Sequence, residues 1–497
     1  MNPSQRQGVL DNARYLRQVR PLDPEEISEY VEDQPHPAAV RQVLREHAVE
    51  LRLLEREDGT FVPVEDGPAS QSSGDGGAAT EDGIGTVDVA FDRVDALPDR
   101  YARRVEDLLV AEFGPGWPDG DSGDRLRERI RAFKSSYLRD EPVEYDRLTA
   151  LGYAVYHLPA YYAAVQYVLA ELAADGLLPA ELRVLDVGAG VGGPALGLHD
   201  VLPEGTLVDY HAVEPSAAAD VLTELLEGTG RNFHATVHRE RAESFDPDRG
   251  EPFDLLLFAN VLSELDDAAA VLARYLDALT EDGTAVALAP ADRETAIHLR
   301  EVERAVEREA GATVYAPALR LWPGERPSGE CWSFDRKPDI EVPALQRRLD
   351  EGERSSGADA PDGRSPGDGE FVNVDVQYAY SVLRTDGRER VSFTPDPERV
   401  AKMADSETHV TDRVDCVGVK LSHDLGSGNP LFLVGDGSEQ VDHFAVLTET
   451  TTLNRDLETA DYGAVLWFEN VLVLWNDDEG AYNLVADGET VVDPVVR

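Results

Sequence analysis

Apolar positions recur along this chain with two periods. From residue 87 to 180 they fall mainly at the spacing of one helix face, and from 181 to about 340 short apolar runs alternate with helical stretches. After 371 the period drops to two, in Phe371-Val372-Asn373-Val374-Asp375-Val376-Gln377-Tyr378-Ala379-Tyr380 and again in Leu431-Phe432-Leu433-Val434, the alternation of half-buried strands. The middle pattern predicts an α/β fold with a mostly parallel, doubly wound sheet. The tail, ending in Tyr462 to Trp475, predicts a small β-barrel, with an OB fold as first choice. Near the start, helical spacing over Asp23–Val31 and Pro37–Leu54 precedes a hairpin turned by Asp58-Gly59, which reads as a winged-helix-like module or a helical appendage.

Two stretches rich in Gly, Ser, Asp and Pro, 66–86 and 351–370, cannot bury apolar area and read as linkers. They divide the chain into a module at 1–65, a helical region at 87–180, an α/β domain at 181–350 and a β-rich domain at 371–497.

The densest chemistry lies in Val184-Leu185-Asp186-Val187-Gly188-Ala189-Gly190-Val191-Gly192-Gly193-Pro194. A strand that delivers an Asp into a Gly-rich turn and then a helix lets backbone N–H groups approach a cofactor without Cβ obstruction. Gly188, Gly190 and Gly193 also satisfy the dinucleotide fingerprint G-x-G-x-x-G, so NAD stays open beside S-adenosylmethionine (SAM), as does a purely structural turn. Asp186 favours SAM, because it can take the cofactor's amino group where dinucleotide folds usually keep an apolar residue. The next strand, Leu207–Val213, ends in Glu214, placed to accept both ribose hydroxyls. The expected cofactor residues are Asp186, Gly188, Ala189, Gly190, Gly192, Glu214 and Asn260, the last in the loop after a fourth strand starting at Phe253. Asn260 and Glu264 are also the catalytic candidates, although Glu264 can equally face solvent. Methyl transfer from a sulfonium needs alignment more than acid–base machinery. No Asn/Asp-Pro-Pro-aromatic follows the fourth strand and no Pro-Cys or Thr-Cys supplies a thiolate, so the acceptor atom stays undefined.

Acidic residues number 97 against 46 Lys plus Arg, a formal charge of −51, and Lys134, Lys337, Lys402 and Lys420 are the only lysines. With 42% apolar residues the chain still fills a core, so the acidity reads as that of a halophile's cytoplasmic protein. At molar salt the Debye length is about 3 Å and the self-repulsion is screened. Diluting KCl from molar to about 0.1 M is therefore expected to cost structure. Circular dichroism across that range measures it, and an unchanged spectrum and melting temperature would show that the charge does not govern the fold. No apolar run nears the roughly 20 residues of a membrane span, and the polar start Met1-Asn2-Pro3-Ser4 is no signal peptide; no membrane or DNA partner is expected. Only Cys331 and Cys416 are present, and His234 and His238 have no further ligands nearby, so no metal is expected.

Against the acidic background, Arg125, Arg127, Arg129, Arg131 and Lys134, followed by Arg139 and interleaved with Phe133 and Tyr137, form the most basic segment. It is an RNA-binding candidate, or else a helix face whose arginines pair with nearby carboxylates. Trp467, Phe468 and Trp475 can stack on bases, or fill the barrel.

Tyr153-Ala154-Val155-Tyr156-His157-Leu158-Pro159-Ala160-Tyr161-Tyr162, then Val184–Pro194, Asn260-Val261-Leu262-Ser263-Glu264-Leu265, Tyr315-Ala316-Pro317, Cys331-Trp332-Ser333-Phe334 and Tyr378-Ala379-Tyr380-Ser381-Val382-Leu383-Arg384 occur in this order. Over roughly 125–390 the chain resembles the methyltransferase-like proteins of small-ribosomal-subunit assembly, a family with mitochondrial, archaeal and bacterial members. The resemblance implies a SAM-type fold, contact with small-subunit ribosomal RNA and a terminal barrel. Several positions depart from it. Where mitochondrial members hold an iron–sulfur cluster on four cysteines, this chain has Ala318 and only Cys331 with the distant Cys416, so no such cluster is expected. His157-Leu158 replaces an Arg before Pro159, Ala289-Pro290 stands for Glu-Pro, and Arg241-Ala242-Glu243 puts Arg where many SAM enzymes carry an acid. The expected functions are an RNA methyltransferase acting on small-subunit ribosomal RNA, a non-catalytic SAM-binding assembly factor, and, third, a small-molecule methyltransferase.

Overall fold

The computed structural model describes residues 1–64, 85–137, 139, 143–325, 332–355 and 366–495. Most of the first expected linker, half of the second, and Cys331 lie outside these residues. The chain forms two compact units, Met1–Leu257 with Pro338–Val376, and Phe258–Lys337 with Gln377–Arg497.

The first unit opens with α1 (Pro3–Leu16), α2 (Pro24–Tyr30) and α3 (Pro37–Glu46), followed by the hairpin β1 (Leu53–Glu55) and β2 (Phe61–Pro63). Each helix starts with a proline at its first position behind a capping side chain, Asn2, Asp23 or His36, where the missing N–H costs nothing. Their inward residues, among them Val9, Ile27, Val40 and Leu44, share one core with Leu53 and Phe61. The helical spacing expected as far as Leu54 ends at Glu46, because Leu53 and Glu55 turn inward on alternate positions of β1. Helix α1 escapes the periodicity argument because its apolar stripe is only Val9, Leu10 and Ala13.

Four helices follow, α4 (Asp99–Phe113), α5 (Gly120–Tyr137), α6 (Arg147–Tyr156) and α7 (Leu158–Ala174). Then strand and helix alternate in β3 (Glu181–Val187), α8 (Gly193–Val201), β4 (Leu207–Val213), α9 (Ala218–Leu226), β5 (Phe233–His238) and β6 (Phe253–Ala259). These strands are parallel in the order β5-β4-β3-β6. The last four residues of β3, Val184–Val187, are all buried, as in a strand covered on both faces.

In the second unit come α10 (Ala268–Leu276), β7 (Leu279–Pro290), α11 (Arg293–Glu309), β8 (Thr313–Ala316) and β9 (Asp335–Lys337). The chain then contributes α12 (Ala344–Glu351) to the first unit, and β10 (Val376–Arg384) follows. The period-two run before Tyr380 suggested the first strand of the barrel. Instead β10 lies antiparallel between β7 and β8. Alternation identifies a pleated strand without naming its partner, and this strand is locked by the buried Arg300, whose Nη2 donates to Tyr380 O at 2.8 Å while Nη1 pairs with Glu303 at 2.5 Å.

The tail forms β11 (Arg413–Lys420), β12 (Leu431–Gly435), β13 (His443–Leu447), α13 (Asp456–Thr459), β14 (Val465–Asn476), β15 (Ala481–Ala486) and β16 (Val491–Pro494). Five strands close a barrel in the order β11-β12-β13-β15-β14, sealed by β14 on β11, with β13 and β15 parallel and β16 outside on β14. This is the closed five-stranded arrangement of an OB fold. Cys416, Phe432, Leu466, Phe468, Val473 and Leu484 fill its interior. Among the described residues no helix is long and apolar enough to cross a membrane, and no group of His, Cys, Asp and Glu could hold a metal ion.

Candidate functional site

The C-terminal ends of β3 and β4 place the Gly-rich turn beside Glu214. Gly188, Gly190 and Gly192 all have positive φ, at 70°, 54° and 94°, a backbone region that glycine enters at no steric cost. The turn is pinned from β4, with Gly188 N donating to Val213 O at 2.9 Å and Ala189 N to the same oxygen at 3.2 Å. Glu214 then clasps it: Gly190 N donates to Glu214 Oε2 at 2.9 Å, while Ser216 N and Oγ donate to Oε1 at 2.9 and 2.5 Å. Each carboxylate oxygen has a further acceptor direction for a ligand hydroxyl.

Asp186 lies beneath the turn and is fully buried. Tyr210 donates its hydroxyl to Oδ2, and Oδ1 is left without a partner. Burial pushes the carboxyl up to about 7, the Tyr210 hydrogen bond opposing the shift and the Glu214 charge adding to it. An unsatisfied buried oxygen is costly, and a ligand ammonium is a partner that would satisfy it. The open side of Gly190, where an added Cβ would meet nothing nearer than Gly188 O at 4.0 Å, gives a ligand room along the turn. These residues could hold SAM, with Asp186 toward its amino group, the turn along its methionine part and Glu214 toward its ribose.

The Asp186 shift carries a pH prediction. Its proton stays bound up to about pH 7 in the folded chain but leaves near 3.9 when unfolded. Its contribution to stability is therefore complete below about pH 4 and lost as pH rises through about 7. Asp186→Asn, neutral throughout, is expected to gain on the wild type between pH 5 and pH 8 in denaturant midpoints; a constant difference would refute the shift.

Asn260 and Glu264 fall in the second unit. Asn260 has φ 60° and donates its N–H to Leu288 O at 2.9 Å, so its loop is fastened to β7. Glu264 ends a 3-10 turn, Leu262–Glu264, and is exposed.

The basic segment is spent largely on packing. Arg127 is buried within the protein, donating to Leu349 O, Pro118 O and Gly352 O and pairing with Asp124, and is withdrawn as an RNA contact. Arg129 pairs with Asp146, Arg131 with both oxygens of Glu370, and Lys134 with Tyr156 Oη and Glu370 O. Arg125 is exposed, over the Phe113 ring at 5.7 Å. In the barrel, Phe468 is core and Trp467 is half-buried against Phe393. Trp475 is 40% exposed and edge-on to Tyr482 at 4.8 Å. Of the expected stacking residues it alone presents an exposed ring. His238 stacks on His211, and His234 Nε2 is buried without a partner. The sequence argument missed Tyr210 and Ser216, which read as an ordinary strand residue and turn residue but hold the two carboxylates.

Residues 185–285 match the family model described as a methyltransferase domain. This segment is similar to methyltransferase domains. Its parallel sheet, with the turn after β3, is the Rossmann-like SAM-methyltransferase fold. Flanking it, residues 6–57 and 404–495 match the N-terminal and C-terminal domains described as a domain of unknown function (DUF8157). No curated protein matches the chain. Among solved structures, a SAM-dependent methyltransferase from Clostridium acetobutylicum is similar over 33% of this chain and 56% of its own, at 11% identity and a TM-score of 0.23. The plantazolicin methyltransferase BpumL, solved with a desmethyl analogue and SAH, is similar over 57% of this chain and 99% of its own, at 12% identity and a TM-score of 0.29. A precorrin-6y C5,15-methyltransferase from Geobacter metallireducens is similar over 27% of this chain and 65% of its own, at 18% identity and a TM-score of 0.22. The chain thus spans little more than half of the first structure's length and just under two thirds of the third's.

Proposed function

We propose that this protein is a SAM-dependent methyltransferase whose acceptor is RNA of the small ribosomal subunit. The observation that carries the cofactor reading is the Glu214 carboxylate, held by Gly190 and Ser216 at the end of β4. Bound SAM would supply a methyl group already activated on a sulfonium, for in-line displacement by an acceptor lone pair. The chain's task is then to hold the cofactor, orient the acceptor and exclude water. The RNA reading is supported by the family resemblance over 125–390 and by an OB barrel with exposed Trp475 beside Tyr482, a pairing suited to base stacking. With most of the basic helix consumed internally, recognition falls to stacking and hydrogen bonds more than to phosphate attraction, consistent with a protein of charge −51.

Crosslinking in cells at native salt is expected to recover small-subunit RNA, and Trp475→Ala to reduce that recovery while leaving SAM binding in calorimetry unchanged. Absence of ribosomal RNA would remove the RNA acceptor and promote a small-molecule one. A methyl mark lost in both a knockout and a Glu214→Ala strain favours catalysis. An assembly defect confined to the knockout favours a SAM-binding assembly factor.

A further inference from the structure

The segment from Tyr153 to Tyr162 gathers an aromatic cluster whose purpose the fold alone does not require. His157, the residue between α6 and α7, lies among the rings of Tyr153 at 4.7 Å, Tyr156 at 4.9 Å and Phe133 at 5.4 Å, and is stacked on Tyr161 at 5.2 Å with 16° between planes. Tyr145 packs on Tyr153 at 5.3 Å, and the hydroxyls of Tyr137, Tyr145 and Tyr153 bond to one another. Those three phenols are thus turned toward one another. Tyr161 and Tyr145 remain half-buried on the cluster's rim.

Both rim residues are tied to the turns that frame the cofactor site. A Cβ on Gly193, which opens α8 directly after the Gly-rich turn, would come within 3.0 Å of Tyr161 Cβ and 3.4 Å of Leu158 O, so the first turn of α7 is pressed onto that glycine. On the other side Ala217 N, three residues after Glu214, donates to Tyr145 O at 3.3 Å. The aromatic rim therefore bridges the two cofactor-bearing turns.

We propose that this cluster is an aromatic wall of the cofactor pocket, with Tyr161 and Tyr145 at its face, that recognises the sulfonium cation and so separates SAM from its uncharged product SAH. The proposal rests on the SAM reading above. A ring's quadrupole attracts a cation lying over its face, most strongly where water is excluded. The cluster's lysine, Lys134, is drawn to Tyr156 Oη at 2.9 Å and Glu370 O at 3.3 Å. Burial and Lys134 hold His157 down at about 3, so the ring at the centre is neutral and adds no repelling charge.

Calorimetry on the full chain in concentrated KCl, with SAM and with SAH as separate probes, tests this. Tyr161→Phe keeps the ring and is expected to leave the SAM-to-SAH affinity ratio at the wild-type value. Tyr161→Leu is expected to shift the ratio toward SAH by about 3- to 30-fold, chiefly by weakening SAM. Tyr145→Leu should shift it in the same direction and serves if the first leucine variant does not fold by circular dichroism. Ratios unchanged in the folded leucine variants overturn the wall and leave SAM binding standing. Failure of the wild type to bind either probe defeats the cofactor reading itself, and the wall with it.

Discussion

Glu214→Ala is expected to weaken SAM binding about a hundredfold. The carboxylate is asked to do two things. It would accept the ribose hydroxyls, and it already holds the turn through Gly190 N and both donors of Ser216. Hydrogen bonds to a charged acceptor contribute about 1.5–3 kcal/mol each, and water refilling the gap returns part of that. A net loss of about 3 kcal/mol corresponds to two decades of affinity. Glu214→Gln preserves the shape and one acceptor oxygen, and should lose only about one decade by the same arithmetic. Isothermal calorimetry in concentrated KCl reads both. Wild-type affinity in the alanine variant, with its fold intact, would remove the SAM assignment.

The second large effect is on stability. Arg127 has 1% of its surface exposed, and its guanidinium ties the chain near Pro118 to the segment at Leu349–Gly352, with Nη2 2.7 Å from Pro118 O and 3.0 Å from Gly352 O, Nε 3.1 Å from Leu349 O and Nη1 2.9 Å from Asp124. Burial pulls its pKa below the usual value, with Asp124 opposing. Truncation to alanine leaves three carbonyls without that donor, while Asp124 keeps Ser355 N, a cost of about 3–5 kcal/mol. The neighbouring Arg125→Ala, on the exposed side, should stay within about 0.5 kcal/mol. Urea midpoints at constant slope measure the contrast, and an Arg127→Ala midpoint equal to wild type would refute the anchor.

That pair of arginines shows what sequence can and cannot convey. Both sit in one basic run, two residues apart, and only the packing of α5 sends one inward. The elements of the methyltransferase domain were legible because their chemistry is local: an Asp, three glycines and an acid at the next strand end sit on consecutive elements whose apolar runs are unmistakable. The barrel was legible from its alternation for the same reason. What required the structure is long-range. The bond of Tyr210 to Asp186 joins two strands, and neither residue alone signals it. The placement of β10 between β7 and β8 depends on which edges are vacant, information that period two does not contain. The narrow apolar stripe of α1 fell below what spacing alone can separate from a polar leader.

The position of β10 sets a timetable for synthesis. Strands β7 and β8 flank a place that neither can fill, and the strand that fills it leaves the ribosome only after α12 has been made. At about 5–20 residues per second, two unpaired edges wait for seconds, the interval in which bare strand edges invite wrong partners. A truncation before Val376, intended to remove only the barrel, would make that vacancy permanent, whereas one placed after Arg384 would leave the sheet whole.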